Sequence, residues 1–237
     1  MLLPPFAILL GALSLASPCY CAPATCHGQG LTLAQLQKQQ PRQTLPSNSN
    51  ATLQHVGLGI GVQNYTCATT TASPQAVGAI ASVFDITQYK LQCGQTPPGL
   101  TASYLRAYER LKCQASQNLD VNNCQLKANY RFFDHLGHHW FGIVDGQGTP
   151  FFSVPGRGFL SAQKTGAAEA PADAYGGQTG FGAVDWLFLP SDGSPHSQVF
   201  SEVYRIDTAG GAPDPNGCGG GKKVLSYKYA AEYWYYV

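Results

Sequence analysis

The C-terminal segment carries aromatic side chains on both phases of a two-residue period. From Val224 to Tyr236 the chain sets Tyr227, Tyr229, Ala231, Tyr233 and Tyr235 against Lys228, Ala230, Glu232, Trp234 and Tyr236. Successive side chains of a strand point to opposite faces, and aromatic residues suit that pleated surface. A strand this aromatic at an open edge would template aggregation, so the pattern predicts a place inside a sheet.

Other strands follow from the same period. Val56 to Cys67 puts Leu58, Ile60 and Val62 on one face, the expected core side, and Gly57, Gly59 and Gly61 on the other. A glycine face lets another backbone or a ligand come close. Gly78 to Ile86, His138 to Val144, Pro150 to Val154, Ala183 to Leu189 and Gln198 to Ile206 read as further strands. Turn signals at Asp145-Gly146 and Asp192-Gly193, a soft Gly- and Ala-rich stretch over 155–180 and a Gly/Pro loop over 210–221 separate them. About seven short strands with such turns predict an all-β, single-domain antiparallel sandwich or barrel over residues 54–237. One stretch, about 90–127, breaks the pattern. Leu100, Tyr104, Tyr108 and Leu111 form a helical stripe, with Thr101 as its N-cap, and Cys93, Cys113 and Cys124 bracket it. This reads as a short helical insertion stapled by disulfides. Residues 22–53, Gln-rich and polar, read as a flexible tail in which Leu31, Leu33 and Leu36 support a short helix.

The apolar run Leu2 to Leu15, followed by Cys19-Tyr-Cys21-Ala-Pro-Ala24, reads as a secretory signal peptide over 1–21, with Ala24 as the alternative cleavage point. It falls short of the roughly 20 apolar residues that span a bilayer, and the C-terminus does not resemble a lipid-anchor tail. Cleavage leaves Cys26, Cys67, Cys93, Cys113, Cys124 and Cys218, an even set suited to three disulfides outside the cell. Only 11% of the residues are charged and the net charge is +1, which argues against nucleic acid and against electrostatic docking on membranes. Asn50 and Asn64 both begin glycosylation sequons. Asn50, in the polar tail, is the expected carrier, because Asn64 shares the strand face assigned to the core.

An ordered set of elements carries a family resemblance: Gly61-Val-Gln-Asn-Tyr-Thr-Cys67, Gly78-Ala79, Phe84-Asp85, Gly137-His-His139-Trp-Phe141, Val184-Asp-Trp-Leu187, Val203-Tyr-Arg-Ile-Asp-Thr208-Ala-Gly-Gly211-Ala-Pro213 and the aromatic run Tyr227 to Tyr236. The set resembles the secreted fungal and bacterial domain-of-unknown-function family 3455, over about Val56 to Val237. Cys93 to Cys124 departs from the pattern and reads as a lineage insertion. The resemblance implies secretion and a β-rich fold and brings no established activity. Cys67 and Cys218 both fall in the family-like core, which leads us to expect a bridge between them among fifteen possible connectivities. Some members carry the label malate dehydrogenase. The residues here do not support it: in Gly57-x-Gly59-x-Gly61 the third glycine of a dinucleotide fingerprint would fall on Val62, and no helix follows.

Three constellations are candidates for chemistry. His135, His138 and His139, with Asp145 or His55 as a further ligand, could hold copper or zinc. On a strand, however, His138 and His139 point to opposite faces, and the plain alternative is ordinary surface or core histidines. Asp185 and Arg205 lie on strand faces that read as buried, so they could pair. With Thr208, Gly210-Gly211 and His139 they outline a polar pocket, or else a structural ion pair that fixes register. Trp140, Phe141, Trp186 and Trp234 could form an aromatic platform for sugar rings, or simply belong to the core. No nucleophile elbow, phosphate loop or readable carboxylate pair is present. The sequence is read as a secreted binding module for wall or host polysaccharide, without a resident cofactor and with its oligomeric state open. The competing readings are a secreted hydrolase or metal-dependent oxidase using His139, and a structural surface protein.

The mature protein is expected to start at Ala22 or Thr25 and to hold no free thiol. Its intact mass should then be six hydrogens below that of the reduced chain. Strong thiol labelling of the native protein at two or more cysteines would overturn this.

Overall fold

The computed structural model describes residues 30–47, 50–94, 99–110, 133–221 and 223–237. Among them, nine strands form one antiparallel sheet: β1 (Leu53–Thr66), β2 (Gln75–Asp85), β3 (His135–Val144), β4 (Gln147–Val154), β5 (Gly158–Ser161), β6 (Gly166–Ala168), β7 (Trp186–Pro190), β8 (Glu202–Gly210) and β9 (Val224–Tyr236). The spatial order is β5-β4-β3-β2-β1-β9-β8-β7-β6. The aromatic strand β9 therefore lies inside the sheet, between β1 and β8, as its alternation predicts. Of the two all-β arrangements expected, the chain takes the barrel-like one: a single sheet curled into a half-barrel.

Ring contacts measure the curl. β4 and β9 are four strand steps apart, about 19 Å across a flat sheet at about 4.8 Å per step. Yet Phe152 of β4 and Tyr233 of β9 have ring centroids 5.6 Å apart. The two ends of the sheet also meet. The Ala162 N–H bonds the Pro150 carbonyl in β4, while the Ser161 carbonyl accepts from Asp192 N–H and the Gln163 N–H bonds Pro190 at the end of β7. The Gly- and Ala-rich stretch thus contains two short strands, β5 and β6, that the sequence did not reveal.

Both faces of the sheet are buried. On the concave face Ala79, Ala81, Val83, Phe152, Leu160, Val203, Tyr229, Tyr233 and Tyr235 form one cluster. The glycine face of β1 belongs to it. A Cβ at Gly59 would overlap the Tyr233 ring, and one at Gly57 would overlap Val83. The space beside these glycines is filled by the protein's own side chains. On the convex face Val56, Leu58, Ile60, Tyr204, Trp234 and Tyr236 meet the helices. The core is therefore on both sides of β1, where the sequence reading placed it on one. Asn64 is half-buried beside a register shift in β1 and accepts a hydrogen bond from the Ser226 hydroxyl at 2.6 Å.

Three helices cover the convex face: α1 (Leu33–Lys38), α2 (Thr87–Cys93) and α3 (Leu100–Arg110). Thr32 and Gln35 close α1 with a reciprocal capping box. Residues 30–47 of the segment expected as a tail pack here, with Leu36 fully buried and the Gln37 side chain bonded to Ala51 and Leu53. In α3 Leu100, Tyr104, Leu105 and Tyr108 face the sheet, which matches the stripe read from sequence as far as it is described; Leu111 lies outside the described residues. Thr101 is not the N-cap, because the helix already includes Leu100. One charge pair crosses this interface: Lys90 of α2 meets Glu232 of β9 at 2.5 Å, and the Trp234 indole N–H donates to the same carboxylate at 3.0 Å. These bonds satisfy a carboxylate set in the middle of a buried strand.

Cys67, just past β1, is bridged to Cys218 in the 3-10 turn Gly217–Gly220, with Cα atoms 5.5 Å apart. This is the expected pairing. Closing so long a loop stabilises by about 5 kcal/mol in the chain-entropy account. Cys93 is disulfide-bonded too. Cys26, Cys113 and Cys124 lie outside the described residues.

Candidate functional site

The polar residues singled out in the sequence divide between the two faces of the sheet. Arg205, on β8, points into the concave face and is 6% exposed. Its Nη2 and Nε donate to the backbone carbonyl of Asp185 at 2.8 and 3.2 Å, and its Nη1 to Gln63 Oε1 at 3.3 Å. The expected ion pair with the Asp185 carboxylate does not form. β7 begins only at Trp186, so Asp185 precedes the pleat and its side chain is exposed. Close by, the Tyr229 and Tyr233 hydroxyls share a hydrogen bond of 2.6 Å, and Gln63 Nε2 donates to the Gly78 carbonyl at 2.7 Å. The arrangement is a bonded polar centre inside the curl.

His139 joins that centre. Its ring stacks on Phe152, with centroids 4.3 Å apart and planes 10° apart, and its Nδ1–H donates to the Phe151 carbonyl at 2.9 Å. Burial pushes its pKa down to about 3; the bond to Phe151 opposes this and the Arg205 charge adds to it. His139 is thus a neutral core imidazole. His138 and His135 are exposed on the opposite face, with their ring centroids 4.6 Å apart. A register shift between β2 and β3 puts both on that side. The three histidines therefore do not converge on a metal. Asp145 sits in the β3–β4 turn, and His55 faces Arg157. Among the described residues no group of three or more His, Cys, Asp or Glu side chains is placed to hold a metal ion.

The aromatic candidates also separate. Trp234 is fully buried and Trp186 is 3% exposed, both on the convex side beneath the helices. Thr208 is buried on that side as well, its hydroxyl donating to the Val184 carbonyl at 2.5 Å. Phe141 is half-buried and packs on the concave cluster, in the space left by Gly78. Trp140 alone of the four stands in an accessible aromatic group, and its companions are Phe151 and Phe159, which the sequence reading did not single out. The three half-buried rings lie on β3, β4 and β5, with centroids 5.6, 5.7 and 6.0 Å apart. Trp140 and Phe151 are direct cross-strand partners. Gly142 lets the Phe151 ring lie flat, since a Cβ there would strike it. The adjoining rung pairs His138 with Ser153 and supplies polar groups beside the rings. A patch of this kind offers apolar ring faces with hydrogen-bonding neighbours at its margin.

A family profile described as "Protein of unknown function (DUF3455)" matches residues 46–237, and the chain belongs to that family. Searches of curated proteins and of solved structures gave no match.

The buried imidazole has a consequence for acid stability. A histidine held near 3 in the fold and near 6.5 in the unfolded chain favours folding above 6.5, and that contribution is lost as the pH falls through this window. The loss is on the order of 3 kcal/mol by pH 4. His139→Gln should therefore lose less stability than the parent between pH 7 and pH 4 in denaturant titrations. Parallel curves for the two proteins would contradict the assignment.

Proposed function

We propose that this DUF3455 protein is a secreted binding module that holds extracellular polysaccharide on the aromatic face of β3, β4 and β5. The Trp140, Phe151 and Phe159 triad carries the reading. Sugar rings present an apolar C–H face that stacks on aromatic faces, while their hydroxyls need polar neighbours, here His138 and Ser153. Three rings on three adjacent strands suit a chain of sugars better than a single one. The sparse, balanced charge fits a neutral polymer rather than a polyanion. The N-terminal apolar run and the disulfides at Cys67, Cys93 and Cys218 support work outside the cell.

The test is co-sedimentation of the purified protein with insoluble cellulose, chitin, β-glucan and mannan. At least one polymer should retain it. Trp140→Ala, a change on a half-exposed strand face, should weaken that retention on the order of tenfold, equivalent to about 1.4 kcal/mol. Retention of none, or retention unchanged by Trp140→Ala and Phe159→Ala together, would refute the proposal.

A further inference from the structure

A cleft of about 760 Å³ opens on the convex side, between α3, the loop over residues 171–176 and the sheet. It lies apart from the Trp140 patch, and its argument does not rest on the polymer reading. The volume is that of a small-ligand site. Trp186 lines it, almost fully buried, and its indole N–H has no hydrogen-bond partner among the described residues. Buried N–H donors without partners are rare because each costs free energy, so a ligand that brings an acceptor to this spot would relieve the defect.

The remaining lining narrows the ligand. Asp173 and Asp207 line the cleft together with one arginine, Arg106, whose guanidinium lies over the Tyr175 ring at 4.1 Å. Glu232 also reaches the cleft, with its carboxylate engaged by Lys90 and Trp234. An anion would meet more carboxylate than cation here and is disfavoured. A simple cation offers no acceptor to the indole N–H. A hydroxyl group both donates to carboxylate oxygen and accepts from N–H. Leu100 and Pro171 add apolar wall for a ring's C–H face. We propose that this cleft binds a small uncharged saccharide, a mono- or disaccharide, with one hydroxyl oxygen accepting from Trp186 Nε1.

Isothermal titration of the full mature chain with glucose, galactose, mannose, N-acetylglucosamine and cellobiose tests this, with glucuronate and glucosamine as the anionic and cationic counterparts. At least one uncharged sugar should bind saturably and more tightly than either charged one. Trp186→Phe, which keeps a ring and removes the N–H, should weaken it on the order of tenfold. Arg106→Ala, at an exposed position, should weaken it as well, and Trp140→Ala should not. No binding by any uncharged sugar, tighter binding of a charged one, or affinity lost in Trp140→Ala but kept in Trp186→Phe would overturn the proposal.

Discussion

The interlock of β1 with β9 organises this protein. β9 directs Tyr229, Tyr233 and Tyr235 into the concave face, and rings of that size need room beside the neighbouring strand. β1 supplies it at Gly59, where a Cβ would strike the Tyr233 ring, and at Gly57, where one would meet Val83 and Tyr235; at Gly61 a Cβ would strike the Ile80 carbonyl of β2. The tyrosines then fill the curl and reach Phe152 and His139 from strands on the far side. Without the glycine face the rings and the sheet could not share this volume, and the close approach of β4 to β9 would be lost. Dense packing on the inside leaves the convex side to carry the helices.

The same interlock explains why the polar residues of the concave face are structural. Arg205 and His139 are buried by the aromatic filling, and each is tied to backbone carbonyls. Desolvation raises the pKa of Tyr229 and Tyr233 and lowers that of His139, so all three stay neutral near pH 7. The lining around the Arg205 guanidinium is therefore neutral, and the Asp185 carbonyl and the Gln63 side chain accept its hydrogen bonds. Among the described residues the helices lie against β1, β8 and β9 on the convex side of the sheet. Its β3–β5 end keeps the Trp140 patch partly open, and the gap under α3 forms the cleft.

Strong periodicity was legible in the sequence. The alternation of β9 pointed to its place inside the sheet, the spacing from Leu100 to Tyr108 to α3, and the resemblance to Cys67 with Cys218. Faces were harder to read. Asp185 was assigned to the pleat of β7, but the strand starts one residue later and the side chain turns out. Two-sided burial of β1 was hidden because glycine gives no hydropathy signal, although the occupant of the space beside it was written in β9. The short strands β5 and β6 are too brief for alternation to show. Phe151 was missed although a count would have found it. The two-residue turn Asp145-Gly146, with φ of 50° and 76°, sets Val144 opposite Gln147 and therefore Trp140 opposite Phe151. Phe159 required the β4–β5 register, which the Pro155-Gly156 turn carries: Gly156 has φ of 72°, and Val154 lies opposite Gly158, which sets Ser153 opposite Phe159. The cleft joins residues from distant parts of the chain, and no local pattern encodes it.

The stability of Gly59→Ala tests the interlock most directly. The added methyl would run into the Tyr233 ring, which is fully buried and hydrogen-bonded to Tyr229. Overpacking of this kind costs about 1–3 kcal/mol or more. Gly148→Ala is the matched control in a strand, where the nearest atom to the new methyl is 3.8 Å away. In denaturant unfolding, Gly59→Ala should be destabilised by at least about 1 kcal/mol while Gly148→Ala stays within about 0.5 kcal/mol of the parent. A Gly59→Ala protein as stable as the parent would contradict the claim that the glycine face of β1 exists to seat the tyrosines of β9.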